Sequence, residues 1–235
     1  MQLFKDRILN DLLPEFCNDP SRALGTAGFK ADWHKVNEVD ADDFLRSIDA
    51  GLVKSVGRGL YRAQRSYASE QFFWTGSVNK TPRTVTIWVE PIITVATIGR
   101  LHFELGWPAE LLGTQSSDWA FDAATYLSAA SEIEFIACEV KKSRAEVLRL
   151  IELMKQFGKQ LPIDLKDVKA QELNAYKKLQ ALRSRRPPYF WLVGPERLDY
   201  AFKVQYCEQD NLVSFHEIPT YELSYSKTRL SSYSA

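Results

Sequence analysis

Hydrophobic and polar residues follow two different periods along the chain, and each period predicts one type of secondary structure. Apolar residues spaced three and four positions apart indicate helices, whereas apolar and β-branched runs between turn residues indicate strands. Helices are predicted at residues 4–13, 41–50, 90–105, from 143 onward, and 167–183. Strands are predicted at residues 70–75, 84–89, 118–127, 133–141, 189–193, 200–207 and 212–218. This order of elements predicts a mixed α/β fold.

Local signals mark the ends of two of these helices. Pro91 stands at a first helical position, where its missing N–H costs nothing, and Gly106 stops the same helix. Ser143 and Glu146 form an S-x-x-E capping box at the start of the next helix. Both helices are therefore predicted from their capping residues as well as from their periodicity.

Composition limits the class of protein. The chain has 235 residues, of which 45% are apolar and 26% charged, so it can bury an ordinary core as one large domain or one domain with an extension. Disordered, collagen-like and coiled-coil chains are excluded. No apolar run approaches the length of a membrane helix, and the first residues lack the apolar core of a signal peptide. Cys17, Cys138 and Cys207 have no metal-site spacing. A cytoplasmic protein without a membrane partner is expected.

Charge is balanced over the whole chain but not along it. Lysine and arginine number 30, as do aspartate and glutamate, yet residues 141–186 hold 13 basic and five acidic residues, a net charge of +8. A second basic run, Lys54, Arg58, Arg62 and Arg65, has no acid between residues 50 and 69. Such runs are most simply solvated surface, and they indicate contact with nucleic-acid phosphates only if a catalytic site lies beside them.

Two carboxylates are predicted to face each other across the hairpin 118–127/133–141. If residues 129–132 form the loop, antiparallel pairing places Asp122 opposite Glu139, with their β-carbons about 5 Å apart. Lys141 lies two residues beyond Glu139 and therefore on the same face, opposite Ala120. Asp118 shares the face of Asp122 and is the spare acid.

This arrangement suits chemistry on an anion. Like charges directly opposite in a sheet are destabilising, and a Mg²⁺ ion, which prefers oxygen ligands, would relieve them. Lys141 could orient a water and offset charge on phosphorus. An E-x-K sequence on a solvated sheet face is the simpler interpretation, but the apolar run around Glu139 predicts a strand buried on both faces.

The pattern D-(x)16-E-V-K, a hairpin followed by a helix, resembles the PD-(D/E)XK nuclease superfamily, although Phe121 stands where that family often has proline. The resemblance spans residues 90–193 and implies an α-β-β-β-α-β core, with residues 110–115 as the only room for its first strand. It implies that Asp122, Glu139 and Val140 hold Mg²⁺, which Mn²⁺ can replace, and that Lys141 positions the attacking water.

The resemblance also implies a glutamate on the preceding helix, which is Glu104 in RLHFELGWP. Basic residues on either side of the motif become candidates for contact with DNA. They are Arg58, Arg62, Arg65, Lys142, Arg144, Lys178, Arg183, Arg185 and Arg186. Lys142 points away from Lys141 and is equally well explained as plain surface.

The sequence therefore predicts a restriction-endonuclease-like mixed sheet flanked by helices. Residues 1–83 form a mainly helical extension for recognition or dimerisation, residues 84–220 the nuclease-like core, and residues 221–235 a flexible tail. The predicted function is Mg²⁺-dependent hydrolysis of double-stranded DNA, of restriction or defence type, by a possible homodimer. One alternative is a catalytically silent DNA-binding or assembly protein of the same fold. A second is a glycoside hydrolase that uses Asp122 and Glu139 as acid and base.

Overall fold

The computed structural model describes residues 1–207 and 209–232 and has a mixed α/β fold. Its helices are α1 (Gln2–Arg7), α2 (Leu13–Cys17), α3 (Glu38–Asp49), α4 (Val89–Phe103), α5 (Arg144–Gly158), α6 (Leu173–Arg185) and α7 (Tyr225–Ser232). Its strands are β1 (Phe29–Lys30), β2 (Lys54–Ser55), β3 (Tyr61–Arg62), β4 (Phe73–Thr75), β5 (Val85–Ile87), β6 (Leu112–Thr114), β7 (Ala123–Thr125), β8 (Ile136–Val140), β9 (Tyr189–Val193), β10 (Asp199–Tyr206) and β11 (Val213–Ile218).

The largest sheet has the strand order β11-β10-β9-β8-β7-β6. All neighbouring strands in it are antiparallel except β8 and β9, which are parallel and are connected through α5 and α6. Along the chain the order is therefore α4-β6-β7-β8-α5-α6-β9, in which β6 occupies the segment predicted as the first core strand.

Helices cover both faces of this sheet. On one face Ile136, Cys138 and Val140 of β8 join a core with α4 and the N-terminal helices. On the other face Ala137 of β8 packs with the apolar sides of α5 and α6. Alternate residues of a strand face opposite sides, and β8 is apolar on both faces apart from Glu139, which shares a face with Ala137. Glu139 therefore points toward α5 and α6.

Helix α4 is the most apolar element of the fold. Eleven of its 15 residues are buried, from Pro91 to Leu101, and the positive φ of Gly106 ends the turn that follows it. None of the helices in the described part of the chain is long and apolar enough to cross a lipid bilayer.

The N-terminal third of the chain contributes two small sheets. One has the order β1-β5-β4, and the other is the hairpin of β2 and β3. The boundary predicted between residues 83 and 84 falls inside the β4–β5 hairpin, and one continuous core joins Phe4 and Phe44 to α4 and β8.

Most predicted elements are present, and capping explains several of their bounds. Ser143 caps α5 by accepting a hydrogen bond from the backbone N–H of Glu146 at 3.3 Å, as the capping box predicts. Asn37 caps α3 in the same way. The first helix is predicted to end before Pro14, but the helical segment continues past this residue to Cys17. A π-helical segment, Ile8–Leu12, links α1 to α2, and Pro14 lies in the first turn of α2, where its missing N–H is tolerated.

Two other predictions require correction. The strand predicted from residue 118 begins only at Ala123, because Asp118 and Trp119 adopt left-handed backbone angles within the short helical turn Ser117–Trp119. The tail predicted to be flexible from residue 221 is docked up to Thr228. Leu223 is fully buried, and its carbonyl accepts a hydrogen bond from Trp107 Nε1 at 2.8 Å. Residues 233–235 of that tail lie outside the described residues.

Candidate active site

The candidate site lies where β7 begins and the antiparallel β8 ends. The observed pairs, Ala123 with Cys138 and Ala124 with Ala137, extend to Asp122 opposite Glu139, which confirms the predicted register. The Asp122 carboxylate accepts a hydrogen bond from the backbone N–H of Val140 at 2.8 Å. Asp122 is thus fixed just before the start of β7, beside the E-x-K segment at the end of β8.

Glu139 is held between two lysines. Its Oε1 accepts a hydrogen bond from Lys141 Nζ at 2.7 Å, so the two side chains share a face as predicted. Its Oε2 lies 2.6 Å from Lys178 Nζ of α6, in an ion pair whose angle is not that of a hydrogen bond. Lys178 also donates to the carbonyl of Ala120 at 2.8 Å. With Glu139 only 1% exposed, the two ammonium groups supply the cations that a buried carboxylate requires.

The pKa values of these groups reflect their burial and mutual proximity. Burial and the charge of Asp122 raise the pKa of Glu139, and Lys178 and Lys141 offset part of that rise. Burial lowers the pKa of Lys141, but the carboxylates of Glu139 and Asp122 outweigh it and leave this pKa above its usual value. Lys141 is therefore a charged donor at neutral pH and not a general base.

Glu70, from the N-terminal third of the chain, also reaches the site. The segment before it runs along β6, where Arg65 N–H donates to the carbonyl of Leu112 at 2.9 Å. Gly113 permits this approach, since a β-carbon there would lie 2.5 Å from the Arg65 carbonyl oxygen. Gln115 then donates its side-chain N–H to Glu70 at 2.8 Å. Sequence analysis missed Glu70, whose only local signal is an acid that follows a run without acids.

Glu70 predicts a specific pH dependence of stability. Burial, together with the charge of Asp122, raises the pKa of Glu70 to about 8, despite the hydrogen bond from Gln115. Between the unfolded pKa near 4.5 and this value the folded state holds more protons, so stability falls as pH rises, by up to about 1.4 kcal/mol per pH unit. Glu70→Gln should remove this contribution and gain stability relative to wild type from pH 5 to pH 8. Urea unfolding of both proteins at pH 5 and pH 8 measures this gain. The same difference in unfolding free energy between them at both pH values would contradict the prediction.

The two glutamates of α4 lie at opposite ends of the helix. Glu104 caps its C-terminus and pairs with Arg197 at 3.0 Å. Glu90 lies in its first turn, lines a cleft of about 300 Å³ with Lys141, and adds to the charges that raise the pKa of Lys141. Glu104 lies 14 positions beyond Glu90, which corresponds to about 21 Å along a helix. The structure therefore does not bring Glu104 to the site, and Glu90 is the α4 glutamate that faces it.

Two of the arginines predicted to bind DNA are largely buried and bind other groups within the fold. Arg183 is 5% exposed and donates to the carbonyls of Phe157 and Gln160. Arg185 is mostly buried and pairs with Glu134 at 2.6 Å. Because both guanidinium groups are used inside the fold, they are not available as phosphate contacts, which corrects the prediction. Lys178 is also mostly buried, because its ammonium pairs with Glu139, which corrects its predicted DNA contact.

The remaining predicted contacts are more exposed. Arg58 lies at the tip of the β2–β3 hairpin and pairs with Asp19 at 3.0 Å, while Arg62 donates to the carbonyls of Ser66 and Tyr67. Arg65 donates to two carbonyls, those of Ala129 and Ser131, and so joins the N-terminal third to the β7–β8 loop.

The other predicted phosphate contacts are exposed residues next to or within α5 and α6. Lys142 pairs with Glu146 at 3.6 Å, and Arg144 is exposed at the start of α5. Arg186, exposed after α6, has its guanidinium 5.7 Å from the ring of Tyr206. These three side chains and Arg58 remain accessible to a polyanion, so their predicted role stands as a prediction.

The donors available to a metal ion are two carboxylates and a carbonyl oxygen, from Asp122, Glu139 and Val140. Within residues 1–207 and 209–232, no three or more His, Cys, Asp or Glu side chains form a group that could hold a metal ion. Comparisons of the chain with protein-family models, curated proteins and solved structures gave no match. The chemistry of the site is therefore inferred from its own geometry.

Proposed function

We propose that this protein is a Mg²⁺-dependent endonuclease that hydrolyses phosphodiester bonds in DNA, in a restriction or defence role. The observation that carries the proposal is the buried Glu139 between Lys141 and Lys178, next to Asp122 at one sheet edge. A fold that needs only stability rarely buries a carboxylate beside another, because the pair must be compensated by cations. The order α4-β6-β7-β8-α5-α6-β9 contains the α-β-β-β-α-β order that the sequence resemblance implies, with α6 added before the last strand.

The residues present fit a magnesium ion. Asp122 and Glu139 supply hard, anionic oxygen donors, and Val140 can supply only its backbone carbonyl, all of which Mg²⁺ prefers. The repulsion between Asp122 and Glu139, which raises the pKa of Glu139, is what a divalent cation would relieve. When bound, such an ion would polarise the phosphate and supply an activated water.

Lys141 contributes a fixed positive charge. It is 14% exposed, protonated, and directed by Glu139 and by the Val140 carbonyl, to which it donates at 2.8 Å. A preorganised ammonium at this position can donate to a water or to a phosphate oxygen as negative charge develops there. Lys178 holds the far oxygen of Glu139 and links α6 to the carbonyl of Ala120, so it positions the carboxylate.

Incubation of plasmid DNA with the protein in Mg²⁺, Mn²⁺ or EDTA tests the proposal. Wild-type protein should cut in both metals and not in EDTA. Asp122→Asn, which keeps the side-chain shape but removes the charge, should lose the activity. Glu104→Gln is the matched control, because Glu104 lies at the far end of α4, and it should cut like wild type.

Each outcome separates the proposed nuclease from an alternative function. Cutting by Asp122→Asn at the wild-type rate would refute this site. DNA binding without cutting in any metal would favour the silent binding protein. Hydrolysis of glycosides that is unaffected by EDTA would favour the acid–base glycosidase.

A further inference from the structure

A second cleft lies beside the candidate site, between the turn Ser117–Ala120 and α6. Its volume is about 550 Å³. Lys177, Lys178 and Arg185 give its lining three positive charges, against one negative charge from Asp118. Arg185 and Lys178 are already paired with neighbouring carboxylates, so the positive charge available in the cleft is that of Lys177, which is exposed and has no ion-pair partner among the described residues.

Trp119 stands at the rim of this cleft with its ring in solvent. It is 72% exposed, although it is the largest type of apolar side chain and most such side chains are buried. Its φ is +53° and that of Asp118 is +54°, a left-handed conformation that bulky residues rarely adopt. The fold thus holds the indole outward at a conformational cost.

The turn that carries Trp119 is fixed from beneath by α6. Arg185 donates to the carbonyl of Ser117 at 2.6 Å, and Lys178 donates to the carbonyl of Ala120 at 2.8 Å. Phe121 N–H donates to Ser116 Oγ at 2.9 Å. Because these bonds hold both sides of the turn, the backbone that carries the ring is fixed in place.

The cleft adjoins the carboxylates through Lys178. Lys178 lines it and also contacts Glu139, and Ala120 precedes Asp122 by two residues. An occupant with a flat ring over Trp119 and an anionic group near Lys177 would therefore lie next to the phosphate-cleaving groups. A nucleotide has both parts, a ring with a π-face and a phosphate.

We propose that this cleft binds an unpaired nucleotide adjacent to the cleaved phosphodiester, with its base stacked on Trp119 and its phosphate at Lys177. The inference rests on the proposed nuclease function and specifies the form of its substrate. A base inside a duplex is stacked on both faces, so Trp119 can reach only a base that is single-stranded or flipped out.

Fluorescence anisotropy in EDTA, where no cutting is expected, tests this inference. The probes are labelled DNA single strands of about 12 nucleotides, within the usual site size, the matching duplex, and an RNA strand of the same sequence. Trp119→Ala should weaken single-strand binding by about 5- to 100-fold and change duplex binding by less than about twofold. Comparison of the affinities for the RNA and DNA single strands shows whether binding depends on the sugar.

Two further variants make the result specific. Trp119→Phe keeps an aromatic face and should retain most of the affinity, whereas Trp74→Ala removes another exposed tryptophan, on β4, and should bind like wild type. Unchanged single-strand binding by Trp119→Ala, or an equal loss on duplex, would overturn the inference. Cleavage by the wild-type protein in Mg²⁺ is measured separately. If the wild-type protein cuts DNA but Trp119→Ala binds single strands normally, this inference alone is refuted. Binding that depends on Trp119 without cutting refutes the nuclease.

Discussion

Replacing Lys141 with methionine is expected to reduce the rate of Mg²⁺-dependent DNA cleavage by about 10²- to 10³-fold, the effect of removing one preorganised donor from a transition state. Methionine retains the length and apolar stem of lysine and removes only the ammonium group. Lys141 is protonated and directed toward the end of β8 by Glu139 at 2.7 Å, so its charge is already in place before the reaction. The loss should therefore appear in kcat.

Single-turnover cleavage and anisotropy measured in parallel check this prediction. DNA affinity should change little, since one ammonium contributes only a fraction of the electrostatic binding energy. Lys203→Met, which removes an exposed lysine from β10, is the matched control and should cut normally. Lys141→Arg should restore little activity, because a planar guanidinium cannot replace a compact ammonium at this distance. Wild-type cleavage by Lys141→Met would show that the lysine serves only to neutralise Glu139.

Replacing Lys178 with methionine is expected to lower the free energy of unfolding at pH 7 by about 3 kcal/mol. This is the lower end of the range found when one partner of a buried ion pair is removed. Glu139 is 1% exposed and would keep Lys141 as its one remaining cation. The variant should also lose hydrogen bonding at the Ala120 carbonyl, which Lys178 contacts at 2.8 Å.

The pH dependence distinguishes an uncompensated charge from lost packing. The pKa of Glu139 is already raised by burial and by Asp122, and removal of Lys178 should raise it further. A buried acid with a raised pKa destabilises the fold as pH rises, so the cost of Lys178→Met should shrink as pH falls toward 5.

A double variant provides the control for Lys178→Met. Lys178→Met combined with Glu139→Gln leaves no unpaired buried carboxylate and should recover part of the stability. Urea unfolding of the single and double variants measures both terms. Equal losses at pH 5 and pH 7, with no recovery in the double variant, would assign the effect of Lys178→Met to packing alone.

Much of the fold was determined by the sequence itself because the relevant signals are local. Strand β9 has the bounds predicted from its apolar run, and α5 begins where Ser143 and Glu146 predict. The register that places Asp122 opposite Glu139 depends on where the chain reverses between the two strands, and it is as predicted although the paired segments are shorter. Periodicity, capping and loop length act over a few residues, so a single segment contains them.

The partners of the site were decided only by tertiary structure. Lys178 lies 39 positions beyond Glu139, and its contact depends on how α6 packs over the sheet. Arg183 was predicted to bind phosphate from its charge alone, whereas packing turns it inward to two carbonyls. Glu70 reaches Gln115 because its segment runs along β6. Which charged side chain is buried, and against what, depends on contacts between distant segments, and charge patterns along the chain do not contain that information.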